Sequence, residues 1–180
     1  TIPIISLDQP LEKYAKQIGI ACREIGFFYI VNHGIEQCII DDVMDASKRF
    51  FELDLENKIA LNSGGNGIEK KGYRGYFGIG AEDLDNKDGT RDLASEEQHG
   101  VKKVHAIKGD FKEGFDLGLE QQDMNGKGDS NCNACLAFFG ANAWPDEDKH
   151  HGIVGFRQTL LRYQNELLKL ADRLMVAFAM

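Results

Sequence analysis

Gly26-Phe27-Phe28-Tyr29-Ile30-Val31-Asn32-His33-Gly34-Ile35 holds a continuous aromatic and β-branched run, Phe27 to Val31, with a glycine before it and an Asn-His-Gly turn after it. Such a run, too short for a helix and flanked by turn residues, predicts a buried strand. Upstream, Leu11, Tyr14, Ala15, Ile18, Ala21, Cys22 and Ile25 recur at three- and four-residue spacing, one buried helix face that Gly26 ends. Further upstream, Ile2 to Leu7 is a short apolar run with Pro3 near its start, which suits an edge strand.

Downstream, Ile35, Ile39, Val43, Ala46 and Phe50 mark a second helix over 35–52, and a shorter one is predicted over Leu55–Leu61. Asn62 to Lys71 contains Ser-Gly-Gly-Asn-Gly and reads as a loop. Tyr73–Ile79 is a candidate strand weakened by two glycines, and Phe111–Leu119 alternates partly. Between them the composition turns polar, and Asp123–Asn133 is a second loop. From Gly155 to Met180, Phe156, Leu160, Tyr163, Leu167, Leu170, Leu174 and Ala177 predict a long amphipathic helix. The chain starts at Thr1 and stops at Met180 inside that apolar periodicity, with no stop signal, so it is expected to be a piece of something longer.

The whole is 180 residues with 21 Lys+Arg against 29 Asp+Glu, a net charge of −8. Phosphate binding needs a basic face, so nucleic acid and an anionic membrane surface are not expected partners. No apolar run approaches a membrane span, no signal peptide is visible, and four cysteines in a chain this long do not make a disulfide scaffold. A cytoplasmic location is the default expectation. The oligomeric state is not legible.

Few motifs carry chemistry. None of His33, His99, His105, His150 and His151 begins an His-x-Asp or His-x-Glu pair, no HExxH or P-loop occurs, and no Arg-x-Ser exists. Cys132-Asn133-Ala134-Cys135 is a single CxxC in a Gly/Asp/Ser loop, readable as ordinary thiols or as a weak redox or zinc signal. His150-His151 reads as a solvated loop or as ligands. His33 either hydrogen-bonds its own turn or acts as a functional loop histidine. Arg74 lies between Tyr73 and Tyr76 on a glycine-flanked segment. A guanidinium is a fork for carboxylates, so it is either an anchor for an anionic substrate or a surface partner of an acidic residue.

Taken in order, Ile2–Leu7, Ala21–Ile35, Ser47-Lys48-Arg49-Phe50-Phe51, Arg74-Gly75-Tyr76, Gly80-Ala81-Glu82, Lys112–Gly118, Gly140-Ala141-Asn142-Ala143-Trp144-Pro145 and Phe156-Arg157 resemble the N-terminal region of the non-haem Fe(II)- and 2-oxoglutarate-dependent oxygenases of the isopenicillin N synthase-like family. The resemblance implies an α+β fold: helices plus the first strands of a distorted double-stranded β-helix (jelly roll), with the C-terminal part of the barrel missing from 1–180. It implies one oxygenase domain with an incomplete catalytic barrel, and Fe(II) and 2-oxoglutarate as cofactors of the full-length protein. It also implies a small-molecule substrate, with Arg74 reaching a substrate carboxylate and Tyr76 or Phe77 close to the pocket. The family's His-x-Asp, distant His and Arg-x-Ser lie beyond this stretch, so no catalytic residue, metal ligand or bound cofactor is expected within 1–180. Asn86–Lys108 is longer than the family usually has there, and Met124–Asn133 is unusual in its Gly, Asn and Cys content.

Two rival readings stand beside the oxygenase: a truncated or degenerate non-catalytic binding protein, and a CxxC redox protein. If the last helix packs on barrel strands in the family, the chain made alone exposes an apolar face. It is then expected to be weakly stable or to associate, and a sharp thermal transition of a monomer in size-exclusion chromatography would contradict this.

Overall fold

The computed structural model describes residues 1–61, 74–81, 110–119 and 142–180. The expected loops at 62–71 and 123–133, the polar stretch 86–108, Glu82, His99, His105 and the Cys132/Cys135 pair lie outside them. The described residues form β1 (Ile4–Ser6), α1 (Leu11–Glu24), β2 (Tyr29–Val31), α2 (Gln37–Phe51), α3 (Leu55–Ile59), β3 (Gly75–Phe77), β4 (Gly114–Asp116), a 3₁₀ turn (His151–Ile153) and α4 (Phe156–Phe178). They fall into two compact units, 1–52 with 146–180, and 53–145. No described helix is long and apolar enough to cross a membrane.

In the first unit β1 and β2 pair in parallel, Ile4 with Tyr29, Ile5 with Ile30 and Ser6 with Val31. Parallel strands cannot be joined by a tight turn, and α1 makes the crossover. It ends where the sequence predicts: the amides of Ile25 and Gly26 both reach the Ala21 carbonyl, at 3.0 and 2.9 Å, and Gly26 takes φ +85°. That left-handed turn has no steric cost for glycine. Ile5, Leu7, Tyr14, Ala15, Ile18, Ala21 and Ala177 form a buried cluster, joined by Phe28, Ile30, Leu170 and Leu174.

The run 27–31 corrects the expectation of a buried strand. Only Tyr29–Val31 pairs, and Phe27 and Tyr29 are 71% and 60% exposed. Successive side chains of a strand point to opposite faces, so with α1 and its cluster on one face, Phe28 and Ile30 turn inward and Phe27, Tyr29 and Val31 outward. Ile35 lies ahead of α2, which starts at Gln37; Ile39, Val43, Ala46 and Phe50 carry its buried stripe as expected.

Helix α4 packs against both α1 and α2. Its first turn has no side-chain cap of its own. Instead the Glu147 carboxylate, eight residues upstream of Gly155, accepts the amides of Gly155 at 2.8 Å and Arg157 at 2.9 Å, satisfying donors that the helix leaves open and placing negative charge at its positive end. Phe156 stacks on Phe50 with ring centroids 4.9 Å apart, and both are almost fully buried. Arg49 donates to the Gly152 carbonyl at 2.8 Å, tying α2 to the 3₁₀ turn. Arg173 donates to the carbonyls of Leu7 at 3.2 Å and His33 at 3.1 Å, so one guanidinium on α4 holds the chain just after β1 and just after β2. Met175, Val176 and Phe178 remain exposed.

In the second unit β3 and β4 pair antiparallel, Gly75 with Asp116, Tyr76 with Phe115 and Phe77 with Gly114. Both strands are shorter than the sequence suggests. The glycine of β3 is a requirement here and not a weakness. Gly75 takes φ +98°, and a Cβ there would fall on the Leu61 carbonyl oxygen, the same oxygen that accepts the Tyr76 amide at 3.2 Å.

Truncating Phe50 removes one half of the stacked pair from a site with no exposure. Phe50→Ala is expected to lower unfolding free energy by ~3–5 kcal/mol, read by chemical denaturation; a change within ~0.5 kcal/mol would mean the pair is not part of the core.

Candidate functional site

The two residues singled out for substrate binding, Arg74 and Tyr76, flank Gly75 at the start of β3. Each sits in a polar cluster inside the second unit. Tyr76 is 2% exposed. Its hydroxyl donates to Glu113 Oε2 at 2.6 Å, and the same oxygen receives Lys58 Nζ at 2.9 Å. The ammonium also lies 5.6 Å from the centre of the Tyr76 ring, within range of a cation–π contact. Lys58 from α3, Tyr76 from β3 and Glu113 from the residue before β4 thus share one centre.

The electrostatics follow from that arrangement. Burial pushes the Tyr76 hydroxyl up to about 12, and the hydrogen bond to Glu113 and its negative charge push the same way. The Glu113 carboxyl is held below its ordinary value, chiefly by the Tyr76 hydroxyl and then by Lys58, against the opposing effect of burial. The lysine is 7% exposed. A buried cation needs a partner, and removing one member of such a pair costs far more than the pair contributes net.

Arg74, also 7% exposed, donates through Nη1 to the Leu119 carbonyl at 3.3 Å and to Asn142 Oδ1 at 3.2 Å. Asn142 in turn holds the Gly118 backbone at both ends: its Oδ1 accepts the Gly118 amide and its Nδ2 donates to the Gly118 carbonyl, each at 2.9 Å. The guanidinium occupies the space where a Cβ on residue 118 would be. Trp144 of the same Asn-x-Trp-Pro segment lies beside Phe115 of β4, with ring centroids 6.2 Å apart.

Lys58, Glu113, Gly118 and Asn142 were not singled out as site residues by type or spacing. Glu113 and Gly118 fall inside the Lys112–Gly118 segment and Asn142 inside the Asn-x-Trp-Pro segment of the family resemblance, the one signal that could find them, though it assigns them no site role; Lys58 has none beyond its place on a short helix. His33 takes a turn role: its Nδ1 accepts the Ile35 amide at 3.1 Å. His150 precedes the 3₁₀ turn, whose Ile153 amide reaches its carbonyl at 2.9 Å, and His151 is exposed. Among the described residues no three His, Cys, Asp or Glu side chains are grouped to hold a metal ion. The described residues by themselves therefore do not fit an iron site.

The polar centre predicts a pH signature with two limbs. A depressed carboxyl stabilises the fold above its unfolded value of about 4.5, and the contribution is lost as pH falls through the lower folded value. A raised phenol stabilises below 10, and the contribution is lost as pH rises through about 12. Glu113→Gln is expected to cost ~1.5–3 kcal/mol near neutral pH and to flatten the acid limb; Tyr76→Phe is expected to flatten the alkaline limb. Denaturant titrations at pH 3–12 read both, and an unchanged acid limb in Glu113→Gln would remove Glu113 from the account.

Over most of its length the chain is similar to known proteins. The family model described as the N-terminal region of the non-haem dioxygenase in morphine synthesis matches residues 2–147. A Dictyostelium discoideum protein named as a probable iron/ascorbate oxidoreductase is 35% identical over 167 residues, 92% of this chain and 38% of its own length. Azadirone synthase of Melia azedarach is 29% identical over 171 residues, 94% of this chain and 42% of its own. The chain thus spans about two fifths of these relatives. The structure of a full-length Neurospora crassa protein, in complex with alpha-KG and thymine, superposes over 99% of this chain and 47% of its own, with TM-score 0.66 and 25% identity. With that family model matching residues 2–147 of 180, this chain belongs to the non-haem dioxygenase N-terminal family.

Proposed function

We propose that the chain is the N-terminal part of a single oxygenase domain that uses Fe(II) and 2-oxoglutarate to oxidise a small-molecule substrate. In this reading the segments that hold both cofactors lie outside 1–180, and the described strands are the first strands of the family's jelly roll. The observation that carries the reading is the family match over residues 2–147. The bound alpha-KG and thymine of the Neurospora crassa protein support the cofactor and the substrate class.

Iron supplies the oxidative chemistry in such enzymes, and the protein binds, orients and excludes water. The part of that work proposed for this chain falls to β3 and the segments bonded to it. Arg74 and Tyr76 are its proposed substrate-side residues. Support comes from chemistry and from order: a guanidinium is the best side-chain fork for a carboxylate, and both groups are held in place by neighbouring polar atoms. A donor already fixed in position loses little freedom when a substrate arrives.

Two measurements test this. The chain Thr1–Met180 alone is expected to form no succinate from 2-oxoglutarate with Fe(II), and succinate formation by it would overturn the assignment of the cofactor site to other segments. In the full-length protein, assayed against a panel of small carboxylic acids, Arg74→Ala is expected to lower kcat/KM for the accepted acid by roughly 10- to 100-fold, the value of one charge-assisted hydrogen bond. Unchanged kcat/KM would take Arg74 out of the substrate site.

A further inference from the structure

The asparagine of the Asn-x-Trp-Pro segment bonds the Gly118 amide, the Gly118 carbonyl and Arg74 with one side chain. We infer that Asn142 is the positioning residue for Arg74: it fixes the Gly118 backbone, and with it the seat in which the guanidinium lies. The inference rests on the reading of Arg74 as a substrate-side residue, and its test does not.

Three observations carry it. Asn142 uses its amide as a strand neighbour would, accepting the Gly118 N–H and donating to the Gly118 C=O, both at 2.9 Å. The orientation of that amide is dictated by its partners, since the reverse would set NH₂ against the Gly118 N–H and against the arginine, and oxygen against a carbonyl. The same oxygen takes Arg74 Nη1 at 3.2 Å, so one atom registers both the backbone and the cation. Finally, Gly118 leaves open the volume that the guanidinium fills, where a Cβ would overlap Cζ and both adjoining nitrogens. Residue 118 therefore has to be glycine for as long as Arg74 lies there.

Asn142 is 24 residues from Gly118 and 68 from Arg74. Its effect on substrate runs only through the arginine, which makes it a positioning residue and not a ligand. An aspartate at 142 keeps the oxygen that accepts from both Gly118 and Arg74 but loses the donor to the Gly118 carbonyl. A leucine of similar size keeps neither.

The experiment uses the whole chain, labelled with ¹⁵N-arginine, and needs no substrate. The Arg74 Nη1 protons are expected to exchange about tenfold faster or more with water in Asn142→Leu, as expected for the loss of a hydrogen bond, and to recover most of their protection in Asn142→Asp. A role confined to general stability would alter both variants alike, and equal exchange in all three proteins overturns the inference. A second readout stands if Asn142→Leu fails to fold. Gly118→Ala is expected to lower Tm in the parent chain and much less in an Arg74→Ala background. Additive effects of the two substitutions would show that the guanidinium does not occupy that seat. If the positioning holds while Arg74→Ala leaves kcat/KM unchanged in the full-length enzyme, the fault lies with the substrate reading and not with Asn142.

Discussion

A parallel pair of strands cannot close on itself, and the first unit is arranged around that constraint. β1 and β2 offer only three residues each, far short of an independently stable sheet. The crossover helix α1 covers one face and supplies most of the buried cluster. The strand ends are then tied from a distance: Arg173 sits 140 residues from His33 and 166 from Leu7, yet donates to both carbonyls. The rest of the unit serves to bring α4 to that place. Glu147 starts the helix, the Phe50–Phe156 stack fixes its first turn, and Ala177 closes it against α1 and β1. The strand pair is therefore a product of the helices around it more than of its own hydrogen bonds.

The second unit meets a different demand, that of burying two cations at 7% exposure. Desolvation of a charge is expensive, and it is tolerated only where hydrogen bonds replace water. Lys58 receives a carboxylate that is itself engaged by the Tyr76 hydroxyl. Arg74 receives carbonyl oxygens from Leu119 and Asn142. Each solution draws its partners from separate segments, so each cation joins pieces of chain that are far apart in sequence.

This distance explains what the sequence makes legible. Periodicity and capping glycines are local properties, and they place α1, α2 and α4 to within two or three residues. The glycine after α1 is readable for the same reason, because the turn it makes involves its own neighbours. The exposed face of β2 is not readable from its composition, since Phe27, Tyr29 and Val31 are as apolar as the residues that turn inward; what decides is which face α1 takes. Gly75 resists a sequence reading because its reason is the Leu61 carbonyl, fourteen residues away. Arg74 and Tyr76 are visible by chemical type, but Lys58, Glu113 and Asn142 acquire meaning only from partners 24 to 68 residues distant. The family resemblance bridges such distances for Glu113 and Asn142, because it ties separate segments to one fold.

Short strands also bear on how this region could shape a site. β3 and β4 share three residue pairs, and a ladder that short fixes orientation poorly. The polar side chains around it supply what the ladder lacks. Asn142 takes the place of a strand beside Gly118, Leu61 lends its carbonyl to the Tyr76 amide, and Glu113, the residue before β4, accepts the Tyr76 hydroxyl. Side-chain to backbone bonds of this kind are directional, and a site needs its groups held within fractions of an ångström. The described residues around β3 and β4 can therefore set the position of polar donors through side-chain bonds where the strand ladder alone does not.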